Sequence, residues 1–134
     1  QPISDWDVSN VKDMSHMFDF SNFNQPISEW NVSNVKKMSS MFSGAKEFNQ
    51  PIGNWDVSSV TSMENMFNNT EKFNQPIGNW DVSNVEDMSY MFQESKAFNQ
   101  PIGDWDVKNL KKAHWMFAKA KYKQKLNNWK RPAK

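Results

Sequence analysis

Large apolar residues recur along this chain at a period close to 25, with polar residues filling the places between. The tryptophans at 6, 30, 55, 80, 105 and 129 are spaced 24, 25, 25, 25 and 24 residues apart. All nine methionines fall on two repeat positions: Met14, Met38, Met63 and Met88 on one, Met17, Met41, Met66, Met91 and Met116 on the other. Nine of the ten phenylalanines occupy two more. Such phase-locking marks stacked repeats, each burying its faces against its neighbours. A single repeat would order about 25 residues on about eight apolar side chains, too few to fold alone.

Within one repeat, Val57, Val60, Met63 and Phe67, with Met66 beside them, follow three- and four-residue steps. That spacing predicts a helix over roughly 58–68. Ser58 stands as its N-cap, and Ser83 with Glu86 gives the capping-box spacing in the next copy. The stretch Phe48-Asn49-Gln50-Pro51-Ile52 reads as extended, because proline disfavours the helical region for the residue before it. Gly53-Asn54 then turns the chain. Prolines at 2, 26, 51, 76 and 101 remove one ladder donor per repeat, so any strand here is short. The column Gln25, Gln50, Gln75 and Gln100 offers stacked side-chain hydrogen bonds in exchange.

The expected fold is therefore an α/β solenoid of about five turns of 24–25 residues, each a short extended strand plus a short helix. Narrow strands on one side and wide helices on the other predict a curved array with helices on the convex face. The whole of 1–134 reads as one repeat domain, with turns at 1–24, 25–49, 50–74, 75–99 and 100–123 and a C-terminal cap at 124–134. The shortened turns each lose one residue after the Met-Phe pair, which predicts a loop there. The dipeptide Trp-Asp at 55–56, 80–81 and 105–106 suggests a propeller, but such blades need about 40–45 residues, and the period excludes it.

Composition adds limits. With no cysteine there are neither disulfides nor thiolate metal sites. No apolar run reaches membrane-spanning length. The chain starts in mid-pattern at Gln1, as a piece of a longer protein would, so a missing targeting signal says nothing about location.

The run F-N-Q-P-I-G-x-W-D-V-S-x-V-x-x-M-x-x-M-F resembles the BspA-like leucine-rich-repeat surface proteins, specifically the repeat of about 25 residues in mycoplasma and Listeria surface lipoproteins. The resemblance covers nearly the whole chain. It implies a right-handed leucine-rich-repeat-like solenoid displayed on a cell surface, a role in adhesion or partner binding, and no catalytic site. The last repeats depart from the pattern: Ala113 replaces a methionine, Leu110 replaces valine, and 122–129 is a degraded copy of F-N-Q-P-I-G-N-W. A degraded final repeat reads as a cap. The segment 1–18 has no such cap and is expected to fray.

Comparing repeats separates framework from surface. Lys12, Lys36, Thr61, Glu86 and Lys111 share one position, and His16, Ser40, Asn65, Tyr90 and Trp115 another; variation at fixed phase marks a solvent face. His16, Tyr90 and Trp115 are thus candidate partner contacts. Trp115 either anchors an interface or packs under the tail from Ala118 onward, and the packing role is the favoured reading.

Charge is divided along the chain. Residues 1–107 hold 6 lysines and 15 acidic groups, net −9, whereas 108–134 hold 10 basic groups and no acid, net +10, which leaves the total of +1. Lys111, Lys112, Lys119 and Lys121 join the candidate contacts, in a cluster with Lys108, Lys123, Lys125, Lys130, Arg131 and Lys134. These cations either protect an open edge from end-to-end pairing or bind an anionic surface such as a wall polymer. Nucleic acid is the weakest reading, because the cluster has one arginine and no reading motif.

The carboxylates Asp7, Asp56, Asp81 and Asp106, with Asn31 in the second repeat, could stack around calcium, but one carboxylate per repeat is thin and such side chains more often hold turn amides. His16 and His114 lie on different phases about four turns apart, and no nucleophile motif accompanies them, so no enzyme activity, cofactor or metal is expected. The expectation is a cell-surface binding or adhesion module for an extracellular protein, glycan or anionic cell-wall polymer. The alternative is a spacer with no ligand of its own.

Overall fold

The computed structural model describes residues 2–126 and Trp129. The repeats stack at the predicted period, but the strand-plus-helix repeat is not what they build. Among the described residues there is no helix, and the only β pairing is one isolated parallel bridge per step, Asp13 to Lys37, Lys37 to Ser62, Ser62 to Asp87 and Asp87 to Lys112. These bridges fall in the stretch predicted to be helical. With the helices absent, the width mismatch that predicted curvature is absent too. Ser58 caps nothing; its amide and hydroxyl both donate to Asp56 Oδ1.

The third coil shows the actual construction. The amides of Met63, Asn65, Phe67 and Asn69 donate forward to the carbonyls of Asp87, Ser89, Met91 and Gln93 in the fourth coil, at 2.7–2.9 Å. The amides of Met66, Asn68 and Thr70 donate within the coil to Met63, Asn65 and Phe67, at 3.1–3.3 Å. The segment is thus a run of tight turns whose alternate amides form an inter-coil ladder. In the turns 63–66 and 67–70 the third residue is left-handed, with φ of 61° at Asn65 and 60° at Asn69, as a type II turn requires. The same two positions are left-handed at His16 and Phe20, Ser40 and Gly44, Tyr90 and Glu94, and Trp115 and Lys119. A left-handed residue every fourth position cannot belong to an α-helix.

Packing explains the preference. The three- and four-residue spacing that predicts an apolar helical stripe serves a turn run equally well, because Met63, Met66 and Phe67 still point inward and are fully buried. A helix, about 10 Å wide, would hold neighbouring coils too far apart for their rings to touch. In the turn run, Phe18, Phe42, Phe67, Phe92 and Phe117 form one column with steps of 5.6–5.7 Å. Phe23, Phe48, Phe73, Phe98 and Tyr122 form a second, with steps of 5.6–6.2 Å. Within each coil the two columns meet at 3.8–4.5 Å.

Each tryptophan pins a coil to the one before. Trp30, Trp55, Trp80, Trp105 and Trp129 donate Nε1–H to the carbonyls of Ile3, Ile27, Ile52, Ile77 and Ile102, at 3.0–3.1 Å. Trp6, in the first coil, stacks on Trp30 and is 54% exposed. The glutamine column bonds to an asparagine column rather than to itself: Gln50 Nε2 donates to Asn24, Gln75 to Asn49 and Gln100 to Asn74. The same asparagine side chains accept the next coil's amide, as Asn49 Oδ1 does from Asn74. That side-chain ladder replaces the backbone pairing that proline forbids. The residue lost in shortened repeats falls beside the exposed pair Glu71 and Lys72, so the loop predicted there is where the chain leaves the core.

Candidate functional site

The ladder run presents one face of stacked, variable side chains. His16, Ser40, Asn65, Tyr90 and Trp115 stand in a column along it, all held by left-handed backbone. The structure brings Tyr90 and Trp115 onto adjacent coils, joined by the Tyr90 amide donating to the His114 carbonyl at 2.8 Å. His16 lies at the other end of the column, where its Nδ1 is 2.9 Å from Asp19 Oδ2. It does not join the other candidates.

Trp115 is 68% exposed, which corrects the favoured reading of a tail folded over it. The described tail, 118–126, instead continues the stack: Tyr122 lies on Phe98 and the Lys123 amide donates to Asn99 Oδ1. Beside Trp115 stand Lys111 and Lys112 on one side and Lys119 on the other, with Lys121 on the following loop; all four are exposed. Lys111 Nζ is 3.7 Å from Glu86 Oε1, a solvent-facing pair worth little. The result is two aromatics on adjacent coils with exposed lysines near them at one end of the face. Lys130, Arg131 and Lys134, and most of the predicted cap at 124–134, lie outside the described residues.

The aspartate column is locally committed. Asp7 and Asp81 each accept from the hydroxyl and amide of the serine two residues on, Ser9 and Ser83, at 2.6 and 3.0 Å. Those hydrogen bonds, the hydroxyl first, hold both carboxyls below the ordinary aspartate range. Asp13 is lowered in the same way by Ser15. Among the described residues no three His, Cys, Asp or Glu side chains converge as a metal site would need.

The sequence reading missed several features. Phe20 is 80% exposed and lies against Gly44, where a Cβ would meet its ring at 2.6 Å; the one phenylalanine off the repeat columns was its signal. Lys46 pairs with Glu71 and Lys72 with Glu47, at 3.1 and 2.8 Å, across the loop edge of adjacent coils. A groove of about 600 Å³ between Gly78, Pro101 and Lys123–Lys125 holds none of the predicted contacts. No described helix is long and apolar enough to cross a membrane.

Comparison with known proteins places the repeat. No curated protein and no solved structure matches the chain. A family described as "Mycoplasma protein of unknown function, DUF285" matches residues 1–84 and again 50–133. The match supports a bacterial tandem repeat and goes no further toward the BspA-like, leucine-rich reading; the chain itself has only two leucines, Leu110 and Leu126. Since the two overlapping matches together run from residue 1 to residue 133, the chain belongs to the DUF285 family.

Proposed function

We propose that this chain is a cell-surface binding module that acts through protein–protein or protein–glycan contacts on a rigid repeat surface. The observation that carries the reading is the ladder face: fixed hydrogen-bond columns hold the backbone while the outward positions change residue from coil to coil. Its best-equipped end is Tyr90 and Trp115 with Lys111, Lys112, Lys119 and Lys121. Aromatics held on a preorganised surface, Trp115 exposed and Tyr90 half-buried, lose little entropy on binding, and the lysines suit an anionic partner such as a cell-wall polymer. The surface location and the lipoprotein character rest on the BspA-like resemblance.

The test is saturable binding of the chain to intact cells and to isolated wall polymer, at low and high salt. Lys→Glu at 111, 112, 119 and 121 abolishes binding if the lysines carry it, and that binding fades with salt. Tyr90→Ala with Trp115→Ala removes a salt-resistant component. A chain that binds nothing saturably is a spacer.

A further inference from the structure

The third and fourth coils carry a bonded group of side-chain amides on the ladder face. Asn68 Nδ2 donates to Asn65 Oδ1 in its own turn at 2.7 Å and to Gln93 Oε1 of the next coil at 3.2 Å. These two bonds hold three amides against one another, and each amide has one polar atom left over. Asn65 Nδ2, Asn68 Oδ1 and Gln93 Nε2 make no bond within the described chain. None of them is enclosed, because among the described residues the Tyr122 hydroxyl is the one buried side-chain group without a partner. The group therefore offers solvent a donor, an acceptor and a donor side by side. Turning all three amides over together keeps both bonds and gives acceptor, donor, acceptor, so the alternation holds either way.

The surroundings do not suit an anion. Residues 50–99 carry two lysines against seven acidic groups, net −5. Both lysines, Lys72 and Lys96, stand on the loop edge and not on the ladder face, and Lys72 is held by Glu47 at 2.8 Å. Lys46 reaches Asn69 Oδ1 at 3.4 Å but is paired with Glu71 at 3.1 Å. Tyr90 follows Asn65 in its column, and its carbonyl accepts the Gln93 amide at 3.2 Å. Its half-buried ring supplies an apolar face with a polar tip. On the second coil, Ser40 and Ser43 continue the Asn65 and Asn68 columns, with hydroxyls that make no bond within the described chain.

The geometry points to a saccharide subsite on the third and fourth coils that takes a neutral glycan by its neighbouring hydroxyls. The subsite rests on the glycan-binding half of the function proposed above and lies apart from the lysines of the fifth coil. A hydroxyl both donates and accepts, so two adjacent hydroxyls of one sugar ring match amide atoms that alternate in the same way. Lysines alone would select an anion, and carboxylates alone a cation. An extended peptide also alternates donors and acceptors, but it docks by adding a strand to an open backbone edge. Here the ladder amides of Met63, Asn65, Phe67 and Asn69 are all taken. Because the three amides already hold one another, little ordering remains to be lost on binding.

Nuclear magnetic resonance of the isotope-labelled chain, titrated into the millimolar range with oligosaccharides of dextran, laminarin, mannan and galactan, tests this. At least one should shift the side-chain amide signals of Asn65, Asn68 and Gln93 saturably, at high salt as at low. Asn65→Asp and Gln93→Glu keep the oxygens that hold Asn68 and replace only the outward donors. Each should weaken binding about tenfold. No response to any of the glycans, shifts confined to other residues, or undiminished binding by both variants would each overturn the inference. Poly-lysine moving the same signals in place of the glycans would overturn it too and assign the face to a basic partner. Wall polymer held by the fifth-coil lysines with no glycan bound would sink the subsite alone, whereas binding to neither would sink the binding-module reading with it.

Discussion

Exchanging alanine and glycine at position 90 separates the turn run from the helix it resembles, because the two structures predict opposite signs. Tyr90 has φ of 60°. A β-carbon in that region costs roughly 1–2 kcal/mol, while the extra backbone freedom of glycine costs roughly 0.5–1 kcal/mol. Tyr90→Gly should therefore be more stable than Tyr90→Ala by about 0.5–1 kcal/mol, with loss of the ring common to both. In a helix interior the order reverses, with alanine better by about 1 kcal/mol. For a chain of this size that gap moves the melting temperature by a few degrees, roughly 2–4 °C per kcal/mol at 150–250 residues and more in smaller domains. Thermal and urea melts of both variants give the sign directly. Ser40, with φ of 59°, should give the same order. Ser89, which is not left-handed, serves as the control. An alanine variant at 90 as stable as the glycine variant would refute the left-handed turn.

Three further outcomes are expected. Trp80→Phe keeps the stacked ring but leaves the Ile52 carbonyl without the Nε1 donor 3.0 Å away, so stability should fall by about 1–3 kcal/mol in a urea melt; an unchanged midpoint would show that the pin is dispensable. The Tyr122 hydroxyl is enclosed without a hydrogen bond of good geometry, and burial pushes its pKa up while the nearby Ile102 backbone opposes the shift. Tyr122→Phe should accordingly match or exceed the parent in stability, and a loss above about 1 kcal/mol would mean the hydroxyl is bonded after all. Because the Ser83 hydrogen bonds lower the Asp81 pKa on folding, their contribution is present above the unfolded value and is lost as pH falls through the folded one. Carboxyl chemical shifts should titrate below the ordinary aspartate range and move up toward it in Ser83→Ala, which keeps the amide bond but loses the hydroxyl; an unmoved midpoint in that variant would remove the hydroxyl as cause.

Much of the architecture is legible because residues at one phase can be compared five times over. The tryptophan, methionine and phenylalanine columns, the exposed loop at 71–72 and the neighbouring places of Tyr90 and Trp115 all follow from the period. The helix was misread because inward positions in successive tight turns recur at three- and four-residue steps, as they do on a helical face. The signal against it lay in the two left-handed columns, where Gly44, Asn65 and Asn69 are residues that tolerate positive φ. His16, Tyr90, Trp115 and Lys119 in the same columns masked it. The forward direction of the inter-coil ladder could not be read from residue types at all, because it depends on which way the backbone amides point.

The stack has an electrical consequence, carried by its side chains and not by its backbone. Between the third and fourth coils four ladder amides point forward, but the carbonyls of Asn49, Ile52, Ser58, Thr61 and Thr70 point forward too, accepting from Gln75, Trp80, Asn84, Glu86 and Lys96. These opposed peptide dipoles offset one another, so the backbone builds no macrodipole of the kind an α-helix has. The side chains do not cancel in that way: aspartates gather in the first coil and lysines in the fifth, and this charge separation makes the chain a small permanent dipole that an external field would orient along its own axis.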